Sequence, residues 1–248
     1  MSSDFRISRS GLAALVAMSV LGLAVIAGAV LDRFVFEDDI SGRITGFGSI
    51  NDRIGESGVE DMVIPIVSGD GEIDILFVGA PDCVHCRDFV AGGFSDMRDL
   101  AGDMDLDMAY MPFALGAVGV SLGTVEACAR GGGATPGEIV IRELYRSVPG
   151  VEAVLAESRA GGADPVAADI PAPVKEVFSD VHEDIGGSGR FSPACFSENA
   201  DRILDGMKRF SGKFAIKGTP AFFIRANGDV YHFTGAPDIG TVSDLVSG

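Results

Sequence analysis

The sequence predicts an α/β domain: a parallel β-α-β unit, a helical insertion, then an antiparallel hairpin and a closing helix, with an N-terminal transmembrane helix in front. Three observations carry this. A short apolar run, "EIDILFVGA" (72–80), passes into a helical pattern and then a second strand pattern. Two runs rich in Phe, Ile, Val and Tyr flank Asn227-Gly228, the strongest short turn dipeptide. An uncharged apolar run, "GLAALVAMSVLGLAVIAGAVL" (11–31), stands near the start of the chain.

That run sets the compartment. At 1.5 Å per residue a helix over 11–31 reaches about 30 Å, the thickness of the hydrocarbon core. Arg6 and Arg9 precede it, while Asp32, Glu37, Asp38 and Asp39 follow, with Arg33 among them. The positive-inside bias then keeps the short N-terminus in the cytoplasm and exports everything after residue 32. Ala27-Gly28-Ala29 offers the alternative of a cleaved signal peptide. Both readings export the remainder, where disulfides persist. The expected division is 1–32 membrane anchor or signal, 33–70 spacer, and 71–248 the folded domain.

Residues 33–70 are rich in Gly and Asp and read as a spacer with one weak hairpin at most. Residues 72–80 read as a buried strand. "CVHCRDFVAGGFSDMRDL" shows helical spacing through Val84, Phe89, Val90, Phe94, Met97 and Leu100, with Gly92-Gly93 as a point of kinking. "DLDMAYMPFAL" (105–115) alternates as a second strand, ended by Pro112. A mostly helical insertion spans about 120–213, in segments such as "SLGTVEACAR", "PGEIVIRELYRSV", "VEAVLAESRA", "APVKEVFSDVHEDI" and "SENADRILDGMKRF", separated by glycine runs. "TPAFFIRANGDVYHFTG" is the hairpin, and "APDIGTVSDLV" the closing helix.

Composition narrows the function. Hydrophobic residues make up 47% of the chain, and 16 Phe supply large core side chains where Trp is absent. A formal net charge of −17 argues against nucleic acid as a partner, since gripping phosphate needs a basic face. The 4 cysteines are too few for a disulfide-dense scaffold but make two pairs.

Cys83-Val84-His85-Cys86 carries the chemistry. A cysteine attacks a disulfide only as thiolate. At a helix N-terminus the unpaired backbone N–H groups and the dipole favour that thiolate. Cys83 falls at the predicted helix start and Cys86 one turn in. His85, when protonated, adds to the effect, and a stabilised reduced form makes an oxidising couple. Asp82 works against it through its negative charge. A zinc site needs two more ligands from Cys128, Cys195, His182 and His232, none of them in a second paired motif. A purely structural disulfide between such near neighbours constrains little. The lone histidines His182 and His232, and the cluster Met104, Met108 and Met111, read as ordinary surface and core residues. Cys128 and Cys195 either pair with each other or stay as buried free thiols.

"ILFVGAPDCVHC", followed much later by "KGTPAFFIRANGDVYHFTGAPD", resembles the thioredoxin superfamily. More closely, it resembles the catalytic domain of the periplasmic DsbC/DsbG thiol-disulfide isomerases, within the DsbA-like group. "MAYMPFALG", "VEACARG" and "PACFSENADRILDGMKRFSGKFAIKGTPAFFI" support the likeness, which covers roughly 70–248. The resemblance implies a thioredoxin fold with Cys83 as nucleophile and Cys86 as resolving thiol. It implies Thr219-Pro220 as a cis-proline loop that faces the dithiol and binds substrate backbone. Beside it, the apolar surface around the dithiol, Val84 included, would hold unfolded segments by β-addition. It also implies Cys128 and Cys195 as a structural disulfide.

The chain departs from that pattern in three places. A membrane anchor and short spacer stand where an N-terminal dimerisation domain would be. The dithiol has the DsbA-like His but not its Pro. Phe77 holds the position, six residues before the first Cys, where many relatives place a buried acid.

The expected function is a periplasm-facing thiol-disulfide oxidoreductase that oxidises or isomerises exported cysteine-containing proteins, without metal or cofactor. It would sit in the bacterial inner membrane through residues 11–31, or be soluble in the periplasm if the N-terminus is cleaved. A membrane or periplasmic redox partner would keep it poised. The alternatives are a tethered chaperone or assembly module with a dormant dithiol, and a reductase for apocytochrome-type clients.

Overall fold

The computed structural model describes residues 42–68, 71–116, 119–120, 122–124, 127, 137–160 and 193–248. The described residues contain six strands in one mixed sheet: β1 (Arg43–Ile44), β2 (Ile64–Val67), β3 (Ile75–Gly79), β4 (Met108–Pro112), β5 (Ala221–Ala226) and β6 (Asp229–Thr234). Their order is β1-β6-β5-β3-β4-β2. Strands β3 and β4 run parallel, with Phe77 opposite Tyr110. Strand β5 lies antiparallel on the other side of β3, with Phe222 opposite Phe77. Every residue of β3 and β4 is buried. This is why "ILFVG" and "MAYMP" read as apolar runs: strands covered on both faces need no polar side.

Helices cover both faces. They are α1 (Ile50–Ser57), α2 (Val84–Ala91), α3 (Gly93–Asp103), α4 (Gly137–Ala160), α5 (Pro193–Phe214) and α6 (Ile239–Ser247), with a 3₁₀ turn at Glu60–Met62. One face of the sheet gives Ile75, Phe77, Tyr110 and Phe222 to a core completed by Phe89 and Phe94 of α2 and α3, Leu144 and Tyr145 of α4, and Val242 of α6. The other gives Leu76, Val78, Met111 and Phe223 to a core with Ile50 and Ile54 of α1 and Phe210 and Phe214 of α5. The result is a three-layer α/β/α arrangement.

The helix expected after Cys83 is two helices. Gly92 (φ −117°, ψ −68°) closes α2, its N–H donating to the carbonyls of Asp88 and Phe89, and α3 starts at Gly93. Conversely, "PGEIVIRELYRSV" and "VEAVLAESRA" join as the single helix α4, with Pro149 inside it. The described residues among 119–127 are helical, while "APVKEVFSDVHEDI" lies outside the described residues. The hairpin turns at Asn227 (φ 54°) and Gly228 (φ 80°). Two consecutive positive φ angles match the right-handed twist of the flanking strands and explain why Asn-Gly stands there.

The spacer reading of 33–70 needs correction. Residues 43–67 belong to the folded domain: β1 pairs with β6 and β2 with β4, so this stretch supplies both edge strands. Between them α1 is capped by Ser49, whose hydroxyl accepts from the Asp52 N–H, and by Gly58 in the left-handed region. Arg53 Nε donates to the Phe47 carbonyl (2.6 Å), and Arg209 Nε of α5 donates to the Ser57 carbonyl (2.8 Å). Edge strands of two and four residues with interspersed glycines leave little periodicity, so the stretch resembled a linker.

The apolar run at 11–31 lies outside the described residues. Among those described, no helix is long and apolar enough to cross a membrane.

Buried Asp74 fastens the sheet at the start of β3. Its carboxylate accepts from Arg225 Nη2 (2.5 Å) and from the Asp107 N–H (2.9 Å), while its carbonyl accepts from the Arg225 N–H (2.7 Å). One side chain thus joins three neighbouring strands at the end remote from the cysteines.

Candidate active site

Strand β3 delivers the cysteines. After Gly79 the chain turns through Ala80, Pro81 and Asp82, and the Cys83 N–H closes the turn on the Ala80 carbonyl (3.0 Å). Cys83 is the N-cap residue of α2, in extended conformation (φ −99°, ψ 121°). Its side chain therefore sits where the first backbone N–H groups of the helix are unpaired. Cys86 lies one turn in and is fully buried, whereas Cys83 remains 6% exposed. Both are free thiols.

The opposite wall is Thr219-Pro220, joined by a cis peptide bond. It opens β5 and is fixed by the Gly235 N–H, which donates to the Pro220 carbonyl (2.8 Å). The Cys83 thiol donates to the Thr219 carbonyl across 3.1 Å. The Thr219 hydroxyl is buried with no partner of good geometry while both cysteines are thiols, yet it lies beside both sulfurs and favours the thiolate at either.

The two sulfurs have opposite acidities. Cys83 is held down to about 5, chiefly by a hydrogen bond from the Cys86 thiol, with help from Thr219 and the backbone N–H groups of Cys86 and His85, against the opposing effect of burial. Cys86 is driven strongly upward, first by burial and then by the neighbouring Cys83. Chemically, such a pair offers one accessible thiolate nucleophile and one buried thiol held in reserve.

The flanking residues divide into groups. Val84 is 51% exposed beside the dithiol and gives it an apolar rim. His85 is exposed on α2, and its backbone N–H contributes to the Cys83 thiolate. The Asp82 carboxylate turns away: it accepts from the N–H groups of Leu115 (3.1 Å) and Gly119 (3.3 Å). Phe77 is fully buried among Phe89, Phe222 and Tyr110, so no carboxylate stands at that place behind the cysteines. The expected Cys128–Cys195 pairing falls outside the described residues, as does His182. His232 lies within the sheet, stacked on Phe223 at 4.6 Å, on the edge side of β5 rather than at the dithiol.

Sequence reading passed over Tyr110 and Tyr145. Tyr110 donates to the Gly79 carbonyl (2.8 Å) and contacts the Tyr145 hydroxyl (3.4 Å), both residues being buried. The available signal was a tyrosine in an otherwise apolar strand, whose hydroxyl must find a partner inside.

A parallel β-α-β unit, a later antiparallel hairpin, and a dithiol at a helix start facing a cis-proline strand define a thioredoxin-like fold. No family model matches the chain, and no curated protein does. Among solved structures, the chain is similar to Proteus mirabilis ScsC in a compact conformation, with a TM-score of 0.50 at 12% identity over 96% of each chain. It is also similar to a protein-disulfide isomerase from Novosphingobium aromaticivorans (TM-score 0.46, 13% identity, 68% of this chain and 89% of that one). A third is a single-substitution variant of Wolbachia pipientis alpha-DsbA1 (TM-score 0.45, 13% identity, 75% and 88%). At such identities the likeness to ScsC speaks for the shared fold.

Proposed function

We propose that this protein is a thiol-disulfide oxidoreductase that oxidises or isomerises disulfides in exported proteins. The observation that carries the reading is the asymmetric dithiol: Cys83 at the N-cap of α2 with its acidity at about 5, over a buried Cys86 and against the Thr219 carbonyl. In the reductive direction the Cys83 thiolate attacks a substrate disulfide. A Cys83–substrate bond forms, and the other substrate sulfur leaves as thiolate. Cys86 then attacks Cys83 Sγ, the mixed disulfide breaks, and the dithiol ends oxidised while the substrate ends reduced. Oxidation runs the same steps backwards. In isomerisation a thiol of the substrate itself resolves the mixed disulfide.

A thiolate stabilised this far below its ordinary range favours the reduced dithiol, which makes the oxidised form a good oxidant. This supports an oxidising or isomerising role over a reducing one. The exposed Val84 and the backbone at Thr219-Pro220 would hold an extended client segment alongside β5. The DsbC/DsbG-like kinship, the Cys128–Cys195 disulfide, the membrane anchor at 11–31 and a membrane or periplasmic redox partner belong to the same proposal, supported by the sequence features described above.

The deciding experiment equilibrates the full chain in glutathione buffers, traps free thiols, and reads the Cys83–Cys86 couple by peptide mass. A potential well above about −270 mV, thioredoxin's value, is the expected result. A value near that figure would assign a reductase. No reversible transition would leave the dithiol dormant and overturn the reading.

A further inference from the structure

Resolution of a mixed disulfide requires Cys86 as a thiolate, and its burial opposes ionisation. Phe77 leaves no carboxylate in the strand behind it. Among the described residues, two uncharged polar groups favour the thiolate at this sulfur: the Thr219 hydroxyl and the Ala80 N–H, which donates to Cys86 Sγ across 3.4 Å.

That N–H belongs to the Gly79–Ala80 peptide, whose other end is heavily engaged. The Gly79 carbonyl accepts from the Tyr110 hydroxyl (2.8 Å) and from the Phe113 N–H (2.8 Å). Because the only hydroxyl proton of Tyr110 is directed at Gly79, the contact with Tyr145 (3.4 Å) must be donated by Tyr145. All the donors therefore point one way, from Tyr145 to Tyr110, to the Gly79 carbonyl, and through the peptide to Cys86 Sγ. Hydrogen bonds in series polarise one another, most strongly in a dry interior. A side chain at position 79 would prevent this: a Cβ there would lie 2.6 Å from the Tyr145 hydroxyl.

We propose that Tyr145, Tyr110 and the Gly79–Ala80 peptide form a donor chain that ends on Cys86 Sγ and sustains its thiolate during resolution. Both tyrosines are positioning residues: they act on Cys86 through the Gly79–Ala80 peptide. The inference rests on the dithiol reading given under the proposed function. The step balances simply. Cys86 gives up a proton and attacks Cys83 Sγ. The Cys86–Cys83 bond forms, the Cys83–substrate bond breaks, and its electron pair leaves on the substrate sulfur, which takes up a proton in turn. Tyr145 remains a protonated donor throughout: burial, then Tyr110 and the cysteines, hold its proton on well beyond its ordinary range. Among the described residues, the ionisable groups that act on Cys86 are Cys83 beside it and Tyr145 from α4, with Tyr110 of β4 against Tyr145. Asp82 is engaged by Leu115 and Gly119, and Arg87 by Glu152.

The test mixes the reduced full chain with oxidised glutathione, quenches with acid at intervals, and follows the Cys83–glutathione adduct by peptide mass. In Tyr110→Phe the Gly79 carbonyl keeps its Phe113 donor. Formation of the adduct should proceed at the unaltered rate, while its resolution slows roughly three- to tenfold, a share of one charge-assisted hydrogen bond. The pH of half-maximal resolution should rise. Tyr145→Phe should move both readouts the same way by less, and it carries the test if Tyr110→Phe does not fold. Unchanged resolution in the folded variant overturns the donor chain. Failure of the unsubstituted protein to form any adduct at Cys83 instead overturns the dithiol reading itself.

Discussion

Cys83 Sγ lies 3.1 Å from the carbonyl oxygen of Thr219, a residue 136 positions further along the chain. The two meet because β5 returns beside β3, so the loop that leads into β5 arrives next to the loop that follows β3. The nucleophile and its opposite wall are thus joined by the sheet.

The acidity of Cys83 predicts a pH dependence with a definite sign. Its folded value, about 5, lies below the ordinary thiol value near 8.5. A depressed group adds stability that is complete above the unfolded value and lost as pH falls through the folded one. The stability of the reduced protein relative to the oxidised form should therefore climb from about pH 5 to about pH 8.5. Denaturant unfolding of both forms across that range checks this, and parallel curves would refute it. Alkylation at Cys83 should likewise be half-maximal near about pH 5.

His85→Ala should disturb Cys83 little. The thiolate draws on the Cys86 thiol and on backbone N–H groups, which the substitution keeps. An exposed charge contributes about 0–1 kcal/mol, less than about one unit of acidity. Thiolate absorbance followed through a pH titration of the variant measures it. A larger rise would restore the imidazole to the role that the sequence suggested.

Asp74→Ala should cost about 2–4 kcal/mol in unfolding free energy, since it strips the Arg225 guanidinium and the Asp107 N–H of their shared acceptor. The same variant should keep the potential of the dithiol, because the clamp sits at the far end of the strands. Paired chemical denaturation and glutathione equilibration would reveal either departure.

Gly79→Ala should be destabilising by about 1–3 kcal/mol, the usual cost of overpacking. The new methyl group would press on the Phe77 ring and on the Tyr145 hydroxyl. Calorimetric melting of the variant tests this. An unchanged melting temperature would mean that the core yields more easily than its packing suggests.

Much of the fold was legible because its centre is written in unambiguous terms. Strands β3 and β4 are short apolar runs, the hairpin is marked by Asn227-Gly228, and the cysteine spacing fits one helical turn. The edges were not legible. Strand β1 has two residues and β2 contains Pro65, while Gly46, Gly48 and Gly58 look like linker glycines until the fold gives all three positive φ angles, Gly46 in a turn and Gly58 at a helix cap. At the site, the cysteines and Thr219-Pro220 could be picked out by residue type. The weight of His85 and Asp82 could not, since it depends on where side chains point: Asp82 turns to Leu115 and Gly119 rather than to the sulfur. Tyr110 and Tyr145 were hidden for the same reason, as ordinary-looking members of a strand and a helix that only the folded chain brings together.

The stretch from Arg43 to Val67 crosses beneath the sheet and seals it on both sides, β1 against β6 and β2 against β4. It behaves as a strap whose two ends are buckled to opposite margins of the same sheet. A fragment cut at residue 70 would remove both buckles at once and leave β4 and β6 with open rows of backbone donors and acceptors, ready templates for a second chain. A fragment that starts at residue 42 keeps the strap. Where the gene is trimmed decides whether β4 and β6 keep their partners or lie open.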